Sequence, residues 1–324
     1  VFGAPAFPNT ISSASPPKQG VLAIAGDFKT QWALLSNVQI ERALTDDLSA
    51  SLGYINSTGR NMPVVIDTNR TATSAVLGDG RPIYSSDRPN GGFNAIDVVQ
   101  SIGEGSYNAM TVTINKRMRG GWQMQANYTL AKSTDNAPFP SYVLATGDDR
   151  VSDPSNLDRE KGVAPFNQTH TFALSTLLQP KVEGSLAPIL NNNQLGIIIQ
   201  ANSGLPFNIR TNRDLNNDGD ASNDRPLGIG RNTGRLGKVI NVDARYVRSI
   251  PLGVRRIEIF GEAKNLLNKL NISQVNRVVA TDVLGNPTTA IPSAIARCGS
   301  PAVTPCATAT YDARSLQIGV KIFF

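Results

Sequence analysis

The stretch 315-SLQIGVKIFF-324 carries apolar side chains at every second position, with mostly polar or small residues between them. The apolar set is Leu316, Ile318, Val320, Ile322 and Phe324. Successive side chains of a β-strand point to opposite faces, so the spacing predicts a strand with one apolar and one polar face. Chain ends of soluble domains usually fray. A regular strand that ends on an aromatic residue is therefore unusual. The kind of fold it belongs to depends on whether the preceding chain repeats the same alternation.

The same alternation recurs along the sequence. It is clearest in QWALLSNVQIERAL (31–44), LSASLGY (48–54), YNAMTVTINKR (107–117) and WQMQANYTL (122–130). Alternation of this kind is typical of strands, and long helical periodicity is almost absent. These signals predict an all-β, antiparallel up-and-down sheet of about nine strands. The predicted strands lie near 31–44, 47–58, 106–118, 121–133, 168–179, 194–204, 238–250, 255–267 and 313–324.

Short and long connections alternate between these strands. TDD, RGG and PLGVR are short, and QPKVEGSLAPILNNN after the fifth strand is of middling length. The other connections are long and polar: 59–105, 134–167, 205–237 and 268–312. Transmembrane barrels have short periplasmic turns at one rim and long external loops at the other. The alternation therefore predicts a transmembrane β-barrel segment rather than a soluble sandwich.

Composition bounds the alternatives. The chain is 40% hydrophobic and 17% charged, with a formal net charge of +6 and no block of like charges, so we expect no nucleic-acid partner. No apolar run approaches the roughly 18 to 20 residues of a membrane-spanning helix. Residues 1–28 read as a Pro- and Ser-rich loop at a truncation edge, without a leader pattern. We therefore expect a fragment or a processed product.

Several stretches, in the same order, resemble a known family. They include YNAMTVTINKRMRGGWQMQANYTLAKSTDNA (107–137), DREKGVAPFNQTHTFALS (158–175), DLNNDGDASNDRP (214–226) and the final LQIGVKIFF. Together with the other strands they make the chain similar to the C-terminal half of the barrel of TonB-dependent outer-membrane receptors, notably the Oar-like group with carboxypeptidase-regulatory-type N-termini. The resemblance covers most of residues 1–324 and implies a place in the bacterial outer membrane.

The resemblance also implies partners and a mechanism. The terminal pattern from Leu316 to Phe324 is similar to the signal that the barrel-assembly machinery recognises. The plug domain and the TonB-binding motif of the family are absent from this sequence, so TonB would act only through that N-terminal region. Barrels of this type close at about 22 strands. Nine strands predict an open sheet that belongs to a larger barrel in contact with outer-membrane lipid.

The segment DLNNDGDASNDRP is the densest polar motif. Asp214, Asn216, Asp218 and Asp220 alternate as oxygen ligands do at the start of a calcium loop, with Gly219 at the sharp turn. Arg225 occupies the position of the expected bidentate glutamate, and Asp224 is the substitute. Calcium is thus one interpretation. The alternative is an Asx-rich external turn whose side chains cap its own backbone.

Other residues carry less specific signals. Cys298 and Cys306, within CGSPAVTPC, predict a local disulfide in an oxidising compartment, with two free thiols as the alternative. His170 is the only histidine and cannot build a His-based metal site, so a lumen or rim position is expected. Five aromatic residues predict girdles at the membrane interfaces, although each alone could be a core residue. They are Trp32, Tyr54, Trp122, Tyr128 and Tyr246.

The resemblance implies a non-enzymatic transporter for a bulky, scarce ligand, such as the metal chelates, glycans, vitamins or peptides that the family imports. A surface-binding or adhesion barrel that does not transport is the first alternative. A soluble secreted β-domain with a calcium loop is the second. No nucleophile, zinc or phosphate-loop motif suggests an enzyme.

Overall fold

The computed structural model describes residues 18–138, 150–291, 296–297 and 305–324. Nine strands, here numbered in chain order, form the main path of one large sheet. They are β1 Trp32–Ala43, β2 Leu48–Asp67, β3 Phe93–Arg119, β4 Trp122–Asp135, β5 His170–Leu178, β6 Asn193–Asn202, β7 Val239–Leu252, β8 Arg255–Lys264 and β9 Ser315–Phe323. Each of the nine strands that the alternation predicts is present, which confirms the all-β fold.

The sheet is an up-and-down meander. Every strand from β1 to β8 pairs antiparallel with the next one in sequence. Within the described part of the chain, β1 and β9 are the two edges, so the sheet is open. The short turns 44–47, 120–121 and 253–254 lie at one rim, together with the connection 179–192. We call this the short-turn rim, and the opposite one the long-connection rim.

The register separates two chemically different faces. One row of cross-strand partners consists of Ile40, Leu52, Val112, Tyr128 and Phe172. The adjacent row, one residue along each strand and on the opposite face, consists of Gln39, Gly53, Thr111, Thr129 and Thr171. Because side chains alternate, one face of the sheet is apolar and the other is polar along the whole path.

The C-terminal strand continues this division. In β9, Leu316, Ile318, Val320 and Ile322 lie on the apolar face, where Ile318 is 83% exposed. Phe324 follows the end of β9 and is 91% exposed, with the guanidinium of Arg255 5.8 Å from its ring centroid. Their exposed, alternating arrangement fits the predicted pattern, whereas their role in barrel assembly stays a prediction.

Four of the five predicted girdle aromatics carry a polar partner at their tip. At the short-turn rim, Trp122 Nε1 donates to Thr176 Oγ1 at 3.0 Å, and the Tyr246 hydroxyl donates to Asn193 Oδ1 at 2.6 Å. Aromatic rings with a wet tip and an apolar body suit a membrane interface.

The other girdle aromatics belong to the long-connection rim. There the Tyr54 hydroxyl donates to Asn108 Oδ1 at 2.9 Å, and the Tyr128 hydroxyl lies 2.8 Å from Nδ1 of His170. Trp32 begins β1 at the same rim and is 55% exposed. His170 is thus a rim residue on the apolar face, in the cross-strand row of Leu130.

The long connections contain more structure than the sequence predicts. The segment 59–105 is not one loop, because β2 continues to Asp67 and β3 already begins at Phe93. Within the predicted N-terminal loop 1–28, a strand Gln19–Ile24 pairs parallel with the first part of β3. Residues 1–17 lie outside the described residues. The extension of β2 does not follow from alternation, because burial of Val64, Val65 and Ile66 among the connections specifies it. The strand Gln19–Ile24 is exposed, and its pairing with distant residues of β3 is what defines it.

Further short elements lie in the connections. The short strands are Ala72–Val76, Pro82–Tyr84, Gly162–Val163, Pro206–Phe207, Arg210–Thr211, Gly234–Arg235, Ile272–Asn276, Val278–Val279, Ala296–Arg297 and Cys306–Thr310. A 3-10 turn spans Leu157–Glu160 and a single helical turn spans Ala187–Leu190. No helix in the described ranges is long and apolar enough to cross a membrane.

A glycine contact fixes the pairing of the last two strands. Gly319 of β9 faces Phe260 of β8, and a Cβ atom at Gly319 would lie 2.4 Å from the Phe260 ring. We expect Gly319→Val to destabilise the β8–β9 pair by about 1–3 kcal/mol through overpacking. Phe260→Ala should restore much of this loss in the double variant.

The measurement is the urea midpoint of the barrel followed by heat-modifiable gel mobility. Gly261→Val is the matched control, since nothing lies within 4 Å of a Cβ at that neighbouring glycine. Equal shifts for the variants at positions 319 and 261 would contradict the steric explanation.

Candidate functional site

The long connections interlock at one rim through buried charges. Seven residues from three connections form the centre of this network, which we call the loop hub. The loop hub consists of Asp67, Arg70, Arg81, Glu160, Asp218, Asp224 and Arg225. Charged groups are rarely buried unless they are paired and hydrogen-bonded, so the network must be almost fully satisfied to be stable.

Asp67, at the end of β2 on the long-connection rim, begins the network. Its Oδ2 atom lies 2.7 Å from both Arg70 Nε and Arg88 Nη1, while Oδ1 accepts from the backbone N–H groups of Asn69 and Ile96 at 3.0 Å. Arg70 Nη1 lies 2.6 Å from Asp218 Oδ2. This ion pair links the first long connection (59–105) to the third (205–237).

A second pair joins the same two connections. Arg81 Nη1 lies 2.7 Å from Asp224 Oδ1, and Arg81 Nη2 donates to the carbonyl of Arg225 at 2.8 Å. Asp224 is completely buried, and its Oδ2 accepts from the backbone N–H of Leu215 at 2.6 Å. Burial raises the pKa of Asp224 to about 7, although Arg81 and the Leu215 N–H act in the opposite direction.

Glu160 connects the second long connection to the third. It is completely buried at the end of the 3-10 turn, and Arg225 Nη1 donates to its Oε2 at 2.8 Å. Its Oε1 accepts from the Ser152 backbone N–H at 3.0 Å and from the Ser152 hydroxyl at 2.6 Å. Burial opposes ionisation of Glu160, but the charge and hydrogen bonds of Arg225 outweigh it and hold its pKa below the usual value.

The fourth connection packs against the third through an apolar cluster. Phe207, Ile209, Leu236 and Val279 are all buried in it. The Leu227 backbone N–H also donates to the carbonyl of Gly285 at 2.9 Å. All four long connections therefore contact one another through the segment that follows β6.

The predicted calcium motif lies inside the loop hub. Asp214 accepts from the backbone N–H groups of Asp218 and Gly219 at 2.9 and 2.7 Å, and Asp218 accepts from that of Asp220 at 2.8 Å. Gly219 has φ of +85°, which favours glycine there.

This is the geometry of the alternative interpretation, in which Asx side chains cap their own loop. The Asn216 side-chain amide donates a hydrogen bond to the carbonyl of Ser152 at 3.1 Å. Asp218 and Asp224 have arginines as partners, and the described residues contain no group of three or more His, Cys, Asp or Glu side chains arranged to hold a metal ion. Calcium binding stays a prediction that nothing here tests.

The predicted disulfide is only partly described. Cys306 is disulfide-bonded and buried at the start of the strand Cys306–Thr310. Cys298, its predicted partner, lies outside the described residues.

A two-faced antiparallel meander with short turns at one rim and long connections at the other is the wall of a transmembrane β-barrel. A family model described as an outer membrane beta barrel domain matches residues 2–233. The chain belongs to this family, and its place is the bacterial outer membrane. Its apolar face therefore contacts lipid.

Solved outer-membrane proteins match parts of this chain at low sequence identity. The outer membrane transporter YddB from Escherichia coli has a TM-score of 0.48 and 10% identity, over 91% of this chain and 33% of that one. The siderophore receptor PiuA from Acinetobacter baumannii has a TM-score of 0.48 and 12% identity, over 90% of this chain and 28% of that one. FpvA of P. aeruginosa, solved with an iron–pyoverdine complex, has a TM-score of 0.48 and 14% identity, over 90% of this chain and 27% of that one. The chain thus spans about a third or less of each structure. No curated protein matches the sequence.

We expect removal of the Glu160 carboxylate to loosen the loop hub without unfolding the sheet. Glu160→Ala leaves the Arg225 guanidinium buried without its partner, a change that typically costs about 3–5 kcal/mol. Hydrogen exchange should show lost protection in 150–160 and 214–226, with β3 to β6 unchanged. Asp158→Ala is the matched control, because among the described residues the Asp158 carboxylate forms only an exposed pair with Lys161. Equal loss of protection in both variants would contradict the role of Glu160.

The stability of the loop hub should also depend on pH. Asp224 has a folded pKa of about 7 against an ordinary value of 3.8, so the folded state binds the extra proton between these values. Its contribution is therefore present at low pH and is lost as the pH rises through 7. Glu160 stays ionised in this window because its pKa is lowered.

The measurement is exchange protection of the Leu215 amide, corrected for intrinsic rates, at pH 5 and pH 8. Protection should be higher at pH 5. Asp224→Asn should flatten this difference, whatever its effect on absolute stability. A pH response of the same size in that variant would show that another group is responsible.

Proposed function

We propose that the protein is a non-enzymatic receptor and transporter of the TonB-dependent kind, for a ligand too large and too scarce to enter by general diffusion. The observation that carries the proposal is the interlocking of four long connections at one rim of the sheet. The face of this sheet opposite the apolar, lipid-contacting one is polar. A structured rim offers a fixed surface on which a ligand can be captured, and a polar face suits passage of a hydrated ligand.

The resemblance of the sequence to TonB-dependent receptors supports the same assignment. In such receptors TonB acts through an N-terminal region and a plug, and the barrel-assembly machinery reads a C-terminal strand like β9. We propose both as partners of the whole protein. The candidate ligand classes are metal chelates, glycans, vitamins and peptides, and residues of the four long connections are the candidate contacts.

A cleft of about 240 Å³ in the loop hub is the first place to look for such contacts. Arg81, Arg159 and Arg225 line it together with Asp79 and the segment Gly228–Gly230. All three arginines have carboxylate partners, and Arg159 Nε lies 2.9 Å from Asp153 Oδ2 while its Nη1 donates to the Asp79 carbonyl at 2.8 Å. The Arg159 side chain nevertheless keeps 28% of its surface exposed, more than Arg81 or Arg225, so it is the first of the three to test for contact with a ligand.

The proposal predicts energy-dependent uptake. Cells with and without the protein would be grown on limiting iron, cobalamin, glycan or peptide, and depletion of each compound from the medium would be measured with and without a protonophore. We expect one class to be taken up only when both the protein and the proton gradient are present. A ligand that stays bound at the surface and is never internalised would instead favour the adhesion barrel. Uptake that is indifferent to the protonophore would contradict TonB dependence.

A further inference from the structure

A polar groove opens on the lipid-facing side of the sheet at the long-connection rim. Its volume is about 660 Å³. Thr58, Ser106 and Thr134 are cross-strand partners on β2, β3 and β4 and form its floor, where Ser106 Oγ and Thr134 Oγ1 lie 2.9 Å apart. Three cations, Arg60, Lys132 and Lys161, also line it.

The register places this groove directly above the apolar band. The next row towards the short-turn rim on the same face is Asn56, Asn108 and Lys132. The row below that is Tyr54, Met110 and Leu130. Polar hydroxyls, then amides with a lysine, then aromatic and aliphatic side chains thus follow one another at two-residue steps. This is the order of environments that a membrane lipid passes through from headgroup to acyl chain.

The charges in the groove are available to an anion. Arg60 Nη1 lies 2.9 Å from Glu104 Oε2, but the two side chains are 41% and 55% exposed, so the pair is weak and can exchange. Lys161 Nζ lies 2.8 Å from Asp158 Oδ1 in a still more exposed pair. Lys132 is exposed and has no ion pair within residues 18–138, 150–291 and 305–324.

We propose that this groove binds the phosphorylated sugar headgroup of a glycolipid in the leaflet that the long-connection rim faces. Lys132, with Arg60 and Lys161 beside it, would contact phosphate oxygens through charge-assisted hydrogen bonds. The hydroxyl row and Asn108 match sugar hydroxyls, and the acyl chains would lie on the Tyr54, Met110 and Leu130 row. Basic side chains next to a membrane attract anionic headgroups in the same way.

The position of the groove favours a lipid over a soluble phosphate compound. It lies on the face of the sheet that contacts lipid, not on the polar face along which a transported ligand would pass. A soluble sugar phosphate would gain nothing from the apolar row below, whereas an amphiphile gains burial of its chains. The proposal is independent of what the protein transports, because it depends only on the outer-membrane location.

The test uses the protein extracted from its own membrane in a mild detergent. Native mass spectrometry would measure binding of three probes: diphosphoryl lipid A, the same lipid without its phosphates, and soluble glucosamine phosphate. Lys132→Gln removes the unpaired cation of the groove. Lys264→Gln is the matched control, since Lys264 is an exposed lysine on the polar face of β8 in the same sheet.

We expect the wild-type protein and Lys264→Gln to bind diphosphoryl lipid A alike, and Lys132→Gln to bind it roughly fivefold more weakly. Lys132→Arg should restore binding. The dephosphorylated lipid should show no difference between the variants. Equal binding by all variants, or equal affinity for phosphorylated and dephosphorylated lipid, would overturn the site. Tight binding of soluble glucosamine phosphate at Lys132 would overturn the lipid source.

Discussion

The constraint on which the structure depends is that a chain in lipid must satisfy every backbone N–H and C=O group by itself. An antiparallel meander meets it between neighbours, and the register of each pair then decides which side chains meet lipid. A slip of one residue would exchange the row of Ile40 and Leu52 for the row of Gln39 and Gly53. The alternation is therefore a requirement at every strand, and the final strand from Leu316 to Phe324 is its clearest example.

The loop hub holds the long connections together, and it does so through buried ion pairs rather than through strand pairing. Outside the apolar band the connections are long and mostly polar, and their apolar packing is confined to small clusters such as that of Phe207 and Val279. They also bury carboxylates and arginines against each other, and each carboxylate of the hub accepts backbone or hydroxyl hydrogen bonds, as Glu160 does from Ser152. Such networks are costly when they are only partly satisfied. Their completeness selects one arrangement of the connections.

This difference explains what could be predicted from the sequence. All nine strands were predicted, because alternation is a local property that ten residues can display. The loop hub was not, because Glu160 and Arg225 are 65 residues apart and Arg81 and Asp224 are 143 apart. The motif at 214–226 shows the limit well. Its oxygen-rich spacing suits either calcium or Asx turns, and the distant Arg70 and Arg81 are the partners that its carboxylates have here.

The two regions meet where β2 and β3 extend past the apolar band. Asp67 is the last residue of β2 and also the first carboxylate of the loop hub, so the hub is anchored to the wall by strand pairing rather than by flexible linkers. Loss of one partner while the other stays buried costs about 3–5 kcal/mol, so each pair of the hub holds the next in place. Under the proposed receptor function, a ligand would contact side chains that the hub leaves exposed, such as Arg159, with the hub as their support.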